Sequence, residues 1–250
     1  MDLKTFFDTT LAPEIFSSLC VVFILCIFAI VIAIKARHAD PLKKPKGILF
    51  IAETLVNLFD GLVDDLMGPQ FKGFGGFIMA IACYLFISFI WGLTGLPSPT
   101  AYLAVPLSLG LVTFTMIHAT SVKYTKWGYF KRYIDPFPVF LPINLISMWA
   151  PLLSLTMRLF GNALAGMTLM SIIYYGVENL SGLVFSFIDG WAKYVILPPF
   201  LTPILHCYFD LFSGLIQTTV FIFLSMIFIS NEAPEVEDTV KIQRKEEAII

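Results

Sequence analysis

Charge is the scarce ingredient of this chain: Asp, Glu, Lys and Arg make up 14% of its 250 residues, against 58% apolar. Soluble domains carry about 25% charged residues, so a water-surrounded globule is excluded and lipid must be much of the solvent. Basic residues have no surplus, the formal net charge being −2, which excludes the positive surface that nucleic acid selects by counterion release. Cys20, Cys26, Cys83 and Cys207 all fall inside apolar runs, an arrangement that suits neither a disulfide framework nor a zinc site. A Gly-rich phosphate loop, a zinc-binding histidine pair and a nucleophile elbow are missing as well, so no cofactor is called for.

What the chain has instead is long uncharged runs. About 20 helical residues at 1.5 Å each cross a bilayer core of about 30 Å. Ile15 to Ile34 is such a run, and Gly73 to Val122 is uncharged for 50 residues. The second is too long for one span and breaks at Gly95-Leu96-Pro97-Ser98-Pro99, where a helix cannot continue. From Pro136 to Val177 one charge interrupts the apolar stretch, Arg158, and from Tyr194 to Asn231 again one, Asp210. The expected fold is an all-α integral membrane protein of five crossings in a single membrane domain. Its helices are expected over 15–34, 73–96, 100–122, 137–177 and 197–230, with a polar cytoplasmic tail over 231–250.

Residues 47–67 form a sixth helix of another kind. Glu53, Asn57, Asp60 and Asp64 recur at helical spacing and make one polar stripe on an otherwise apolar helix. Such a segment lies in the membrane interface, either as a spacer or with its acids docked on a partner. Orientation follows from Lys and Arg in short loops. Lys35, Arg37, Lys43, Lys44, Lys46 and Lys72 mark one inner segment, Lys123, Lys126, Lys131 and Arg132 another, and Lys241, Arg244 and Lys245 the tail. The expected topology is multi-pass, N-terminus outside and C-terminus cytoplasmic.

The two lone charges carry the functional argument, because a charge at mid-span costs about 2.5 to 3.5 kcal/mol even on gentle scales and marks an ion path or a polar partner. Ser154, Arg158 and Asn162 are four residues apart and share a helix face, with Ala165 and Gly166 a turn beyond. Small residues let another helix approach, and an arginine that keeps its proton can hold a carboxylate ionised without relaying a proton itself. On the last segment His206, Asp210, Ser213 or Gly214, and Gln217 follow helical spacing. His206 and Asp210 are groups able to exchange protons, whereas Gln217 only hydrogen-bonds. The competing reading is an Arg158–Asp210 ion pair that pins two helices in a structural assembly subunit or a secondary transporter. A transporter would be expected to show an internal repeat, and the Arg158 segment has no second copy.

The stretch Ser154 to Gly166, with Arg158-Leu159-Phe160-Gly161-Asn162 followed by Ala165-Gly166, resembles the signature of subunit a of F-type ATP synthases. Asp40 to Gly47, Gly92 to Thr100 and Gly214 to Gln217 are supporting matches. The resemblance implies two offset half-channels meeting near Arg158, and the last two long helices tilted as a membrane-embedded hairpin against the rotating c-ring. It implies ion transport, by protons, that couples c-ring rotation to ATP synthesis or hydrolysis, with nucleotide chemistry on other subunits, so that the chain is not itself an enzyme. The partners implied are the c-ring, the peripheral-stalk b subunits, other Fo subunits and the lipid of a bacterial inner membrane. Carried onto this chain, Arg158 is the stator charge, and Ser154, Asn162, His206, Asp210 and Gln217 line the ion path. Asp210 stands where relatives carry Glu or His. Met167 departs from the family's Glu or His, which throws the outer half-channel onto Asp210 and His206. Asn144 and Ser147 stand where several relatives have an inner carboxylate, and Tyr102 where Asp is frequent.

Overall fold

In the computed structural model the chain is described at residues 13–39, 44–126, 141–187, 190 and 192–233. The expected readings on Asp40 to Lys43, Lys131, Arg132, residues 137–140 and the tail from 234 onward lie outside these. Helix α1 (Pro13–Arg37) is followed by α2 (Ile48–Met67), α3 (Gly75–Ile90) and α4 (Ala104–Thr125). Helix α5 (Leu141–Val184), a short α6 (Ala192–Val195), α7 (Pro198–His206) and α8 (Ser213–Ser230) complete the order. Between α7 and α8 the chain stays helical but winds as a π-helix over Cys207–Phe212. No strand occurs among the described residues. Five helical stretches are long and apolar enough to cross a membrane: Pro13–Arg37, Gly75–Thr94, Ala104–Thr125, Leu141–Val184 and Pro198–Ser230.

Each boundary has a local cause. The first span ends in the basic turn Lys35 and Arg37, cations that suit a helix C-terminus. The span that begins with α3 runs through a 3-10 turn, Trp91–Thr94, and stops at Gly95, whose φ of 79° is left-handed, a conformation glycine adopts without steric cost. Ser98 Oγ then donates to the Ser88 carbonyl at 3.0 Å, and Pro99 opens the 3-10 turn Pro99–Ala101 before α4. Helix α5 continues past Val177, where the apolar stretch ends, through Glu178 to Val184. A charge limits how deep a residue sits in lipid but does not end a helix. Pro151 lies inside α5 and removes the hydrogen bond to the carbonyl of Ser147.

The core is built where α2, α3, α4, α5 and α8 meet. Ile78, Leu85, Leu155, Leu159, Phe221, Met226 and Ile229 are completely buried there, joined by Phe59, Val63 and Met67 from one face of α2. The polar stripe of α2 is thus held on the outside: Glu53, Asn57, Asp60 and Asp64 are exposed. Asp60 leans on its own chain, since a Cβ added to Gly75 would collide with its Oδ1. An acid beside the first turn of α3 complements that helix's positive end. Helix α1 packs less deeply, burying only Ser17 and Val21 and tied to α3 by the hydroxyls of Ser18 and Tyr84 at 2.6 Å. His118, unassigned by sequence, has a structural place: its ring meets Phe114 edge-on at 4.1 Å, and Phe114 stacks on Trp149 of α5 at 5.0 Å.

Glycine sets the closest approach of α8 to α3. A Cβ at Gly214 would stand 2.5 Å from Phe89 Cβ and 2.7 Å from Cγ, and Phe89 is itself buried. Gly214→Ala should therefore destabilise the subunit by about 1 to 3 kcal/mol, the usual effect of overpacking. Gly61→Ala, where an added Cβ meets nothing within 4 Å, should be neutral or stabilising. Thermal loss of the assembled band on a native gel checks both; equal behaviour of the two variants would show that the α3–α8 approach is loose.

Candidate functional site

The two helices with the lone charges run antiparallel, and two hydrogen bonds fix their register. Ser213 Oγ donates to Asn162 Oδ1 at 3.0 Å, and near the other end Tyr174 Oη meets His206 Nε2 at 2.5 Å. Four residues back from Asn162 is Arg158 and four forward from Ser213 is Gln217, so these two occupy the same level. Asp210 lies three residues on the other side of Ser213. At 1.5 Å per residue that leaves Arg158 and Asp210 about 10 Å apart along the axis.

The Arg158–Asp210 ion pair considered from sequence is accordingly not formed. Asp210 Oδ2 instead takes His206 Nδ1 at 2.6 Å, a contact one helical turn long. Both side chains are half-buried, at 30% exposure for His206 and 24% for Asp210. Arg158 is exposed on the outer face of α5 and has no ion pair or hydrogen bond to another described residue. Its neighbours on that face are Ser154, Met157, Gly161 and Ala165, all exposed. A charge on a spanning helix is costly unless it faces water, backbone carbonyls or an opposite charge.

Beside it the two helices border two open cavities of mixed, mostly apolar lining. A cavity of about 510 Å³ is lined by Asn162, Gly166, Met167, Tyr174, His206 and Asp210, with the Gly95–Ser98 turn and Gly92 as its far wall. Gly92 lies against Asp210, and a Cβ there would be in ordinary contact with the carboxyl group, 3.5 Å from its carbon. Met167 is on this lining and supplies no titratable group, leaving Asp210 as the acid of the cavity among the described residues. A second cavity of about 290 Å³ is lined by Asn162, Ala165, Gly166, Phe209, Ser213 and Gln217. Asn162, Gly166 and Phe209 line both cavities. Gln217 is buried, and its Nε2 has no hydrogen-bond partner among the described residues.

The π segment explains why one expected polar face becomes two. A π-helix adds about one residue per turn and is often found at functional sites. Winding Cys207–Phe212 in this way rotates α8 relative to α7, so His206 and Asp210 face the larger cavity and Ser213 and Gln217 the smaller. Of the residues expected on the ion path, Asn162, His206, Asp210 and Gln217 line these cavities. Ser154 and Arg158 lie on the open face next to them. Sequence reasoning misses Tyr174, whose spacing of 12 from Asn162 turns it about 120° round α5 and so gives no periodic signal.

Comparison with known proteins gives the family. The family model described as ATP synthase A chain matches residues 15–230. ATP synthase subunit a of Mycoplasma genitalium is 30% identical over 220 residues, covering 82% of this chain and 74% of the relative. That of Limosilactobacillus reuteri is 32% identical over 203 residues, 77% and 82% of the two chains. The sodium ion specific subunit a of Propionigenium modestum is 28% identical over 232 residues, 86% and 73% of the two chains. The chain belongs to the ATP synthase A chain family, as a multi-pass membrane subunit of the ion-translocating Fo part and not a catalytic subunit.

Proposed function

We propose that the chain is the stator of a proton-driven rotary motor, passing protons between two offset half-channels by way of the c-ring carboxylates. The observation that carries this reading is Arg158, a permanent cation exposed at mid-helix with no anion of its own among the described residues. A protonated rotor carboxyl crosses lipid as a neutral group and ionises where Arg158 favours the charged form. The same cation repels a proton passing straight from one half-channel to the other. The larger cavity, bounded by the uncharged Gly95–Ser98 turn, serves as the outer half-channel, with His206 and Asp210 exchanging protons there.

Helix length supports the tilted hairpin. At 1.5 Å per residue the 44 residues of α5 extend about 66 Å, twice a bilayer core, so much of the helix must lie inclined. Lys and Arg at the inner ends support the N-terminus outside and the C-terminus in the cytoplasm. Peripheral-stalk b subunits and other Fo subunits complete the assembly in a bacterial inner membrane. The pinning alternative loses its acid, because Asp210 is engaged by His206.

Cross-linking tests the rotor interface. Gly161 is exposed and an added side chain there meets nothing within 4 Å. With the native cysteines replaced, Gly161→Cys should form a disulfide with a cysteine in the outer helix of a c subunit. ATP-driven pumping should then stop and return on reduction, whereas Ala163→Cys, buried on the opposite side, should not cross-link. Cross-linking from Ala163→Cys alone would place the rotor elsewhere.

A further inference from the structure

We propose that Tyr174 is a positioning residue of the outer path, which fixes the tautomer of His206 so that its Nδ1 proton is always aimed at Asp210; this rests on the half-channel reading above. His206 uses both ring nitrogens, Nε2 toward Tyr174 Oη and Nδ1 toward Asp210 Oδ2. An ionised carboxylate only accepts, so a neutral imidazole facing it carries its hydrogen on Nδ1 and leaves Nε2 as an acceptor. The phenol O–H is the donor that satisfies Nε2. The order is fixed from end to end: Tyr174 donates to His206, and His206 donates to Asp210. Without the phenol, Nε2 faces the cavity water and can hold the hydrogen itself, and that tautomer turns an Nδ1 lone pair toward the carboxylate. The contact then survives best when the imidazole carries both hydrogens, that is, at low pH.

The assignment has few competitors in the surroundings. From α5 the only titratable group on the cavity lining is Tyr174, and from α7 and the π segment only His206 and Asp210. The end of α3 and the hairpin turn contribute Phe89, Gly92, Gly95, Leu96, Pro97 and Ser98, none of which titrates. The Tyr174 ring also rests against the imidazole, with centroids 5.8 Å apart, a contact that phenylalanine keeps.

The test is Tyr174→Phe in the whole complex, with proton flux measured through Fo in vesicles stripped of the catalytic head and the outer pH varied. Flux should fall by roughly 2- to 12-fold, the effect of one net hydrogen bond, and the deficit should widen as pH rises. In 15N-histidine-labelled complex, His206, assigned by its disappearance in His206→Gln, should show a bare Nε2 in wild type and a tautomer mixture in Tyr174→Phe. Unchanged flux, a deficit equal at every pH, or an unaltered nitrogen spectrum would overturn the positioning role. Asp210→Asn run in parallel separates the two levels: if it abolishes flux while Tyr174→Phe does nothing, only the role of Tyr174 falls. If Asp210→Asn also conducts normally, the half-channel reading falls and takes this inference with it.

Discussion

Arg158→Ala is expected to abolish ATP-driven proton pumping while leaving the complex assembled, and to open a passive proton leak across the membrane. At an effective dielectric of about 20, a cation and a carboxylate about 4 Å apart attract by about 4 kcal/mol, close to a thousandfold in the ionisation equilibrium of the rotor acid. Removing the cation leaves the rotor carboxyl neutral where it has to release its proton, so rotation no longer drives transport. The barrier between the half-channels goes with it. Assembly should survive because Arg158 is exposed and contributes no ion pair to its own chain among the described residues. Its neighbours Leu155 and Leu159, which are completely buried, keep α5 in place. Vesicles that still pump, or that stay proton-tight without pumping, would show that the residue is not the separator.

Asp210→Asn should be the second most damaging change. The amide keeps the volume and a hydrogen bond to His206 but cannot take up and release a proton, and the loss of a positioned proton-exchanging group is worth about 10²-fold in rate or more. Met167 offers no replacement, and among the described residues the remaining titratable groups of the cavity are Tyr174 and His206. Asp210→His, which restores an ionisable group of the kind the family resemblance implies there, should recover a large part of the flux. A pumping assay across the two variants decides; equal activity in both would show that titration at 210 is irrelevant.

The architecture is readable because charge is so scarce that each break in the uncharged runs has a meaning. The Gly95–Pro99 hairpin, the acid-striped α2 and the mid-helix places of Arg158 and Asp210 follow from composition and spacing alone. Register does not. A period of 100° per residue puts His206 and Gln217 on one face, and nothing in Cys207 to Phe212 announces that this turn winds as a π-helix. The pairing of Asp210 with His206 is local, four residues apart on one helical stretch, but whether Asp210 meets Arg158 depends on the level at which that stretch passes α5, a tertiary property set by contacts such as Asn162 with Ser213. Tyr174 is hidden for the same reason. One tyrosine among 9 has no local mark, and it gains its place only because His206 arrives opposite.

The stator assignment stands or falls on whether the mid-membrane cation must be one that keeps its proton. Arg158→Lys preserves a positive charge in water but can lose it in a low-dielectric site, and it lacks the planar fork of a guanidinium. ATP hydrolysis and ATP-driven pumping should be measured together in vesicles holding the complete complex, with native gels confirming assembly. The expected result is an assembled complex that hydrolyses ATP and pumps no protons. An Arg158→Lys complex that pumps at the wild-type rate would contradict the stator assignment.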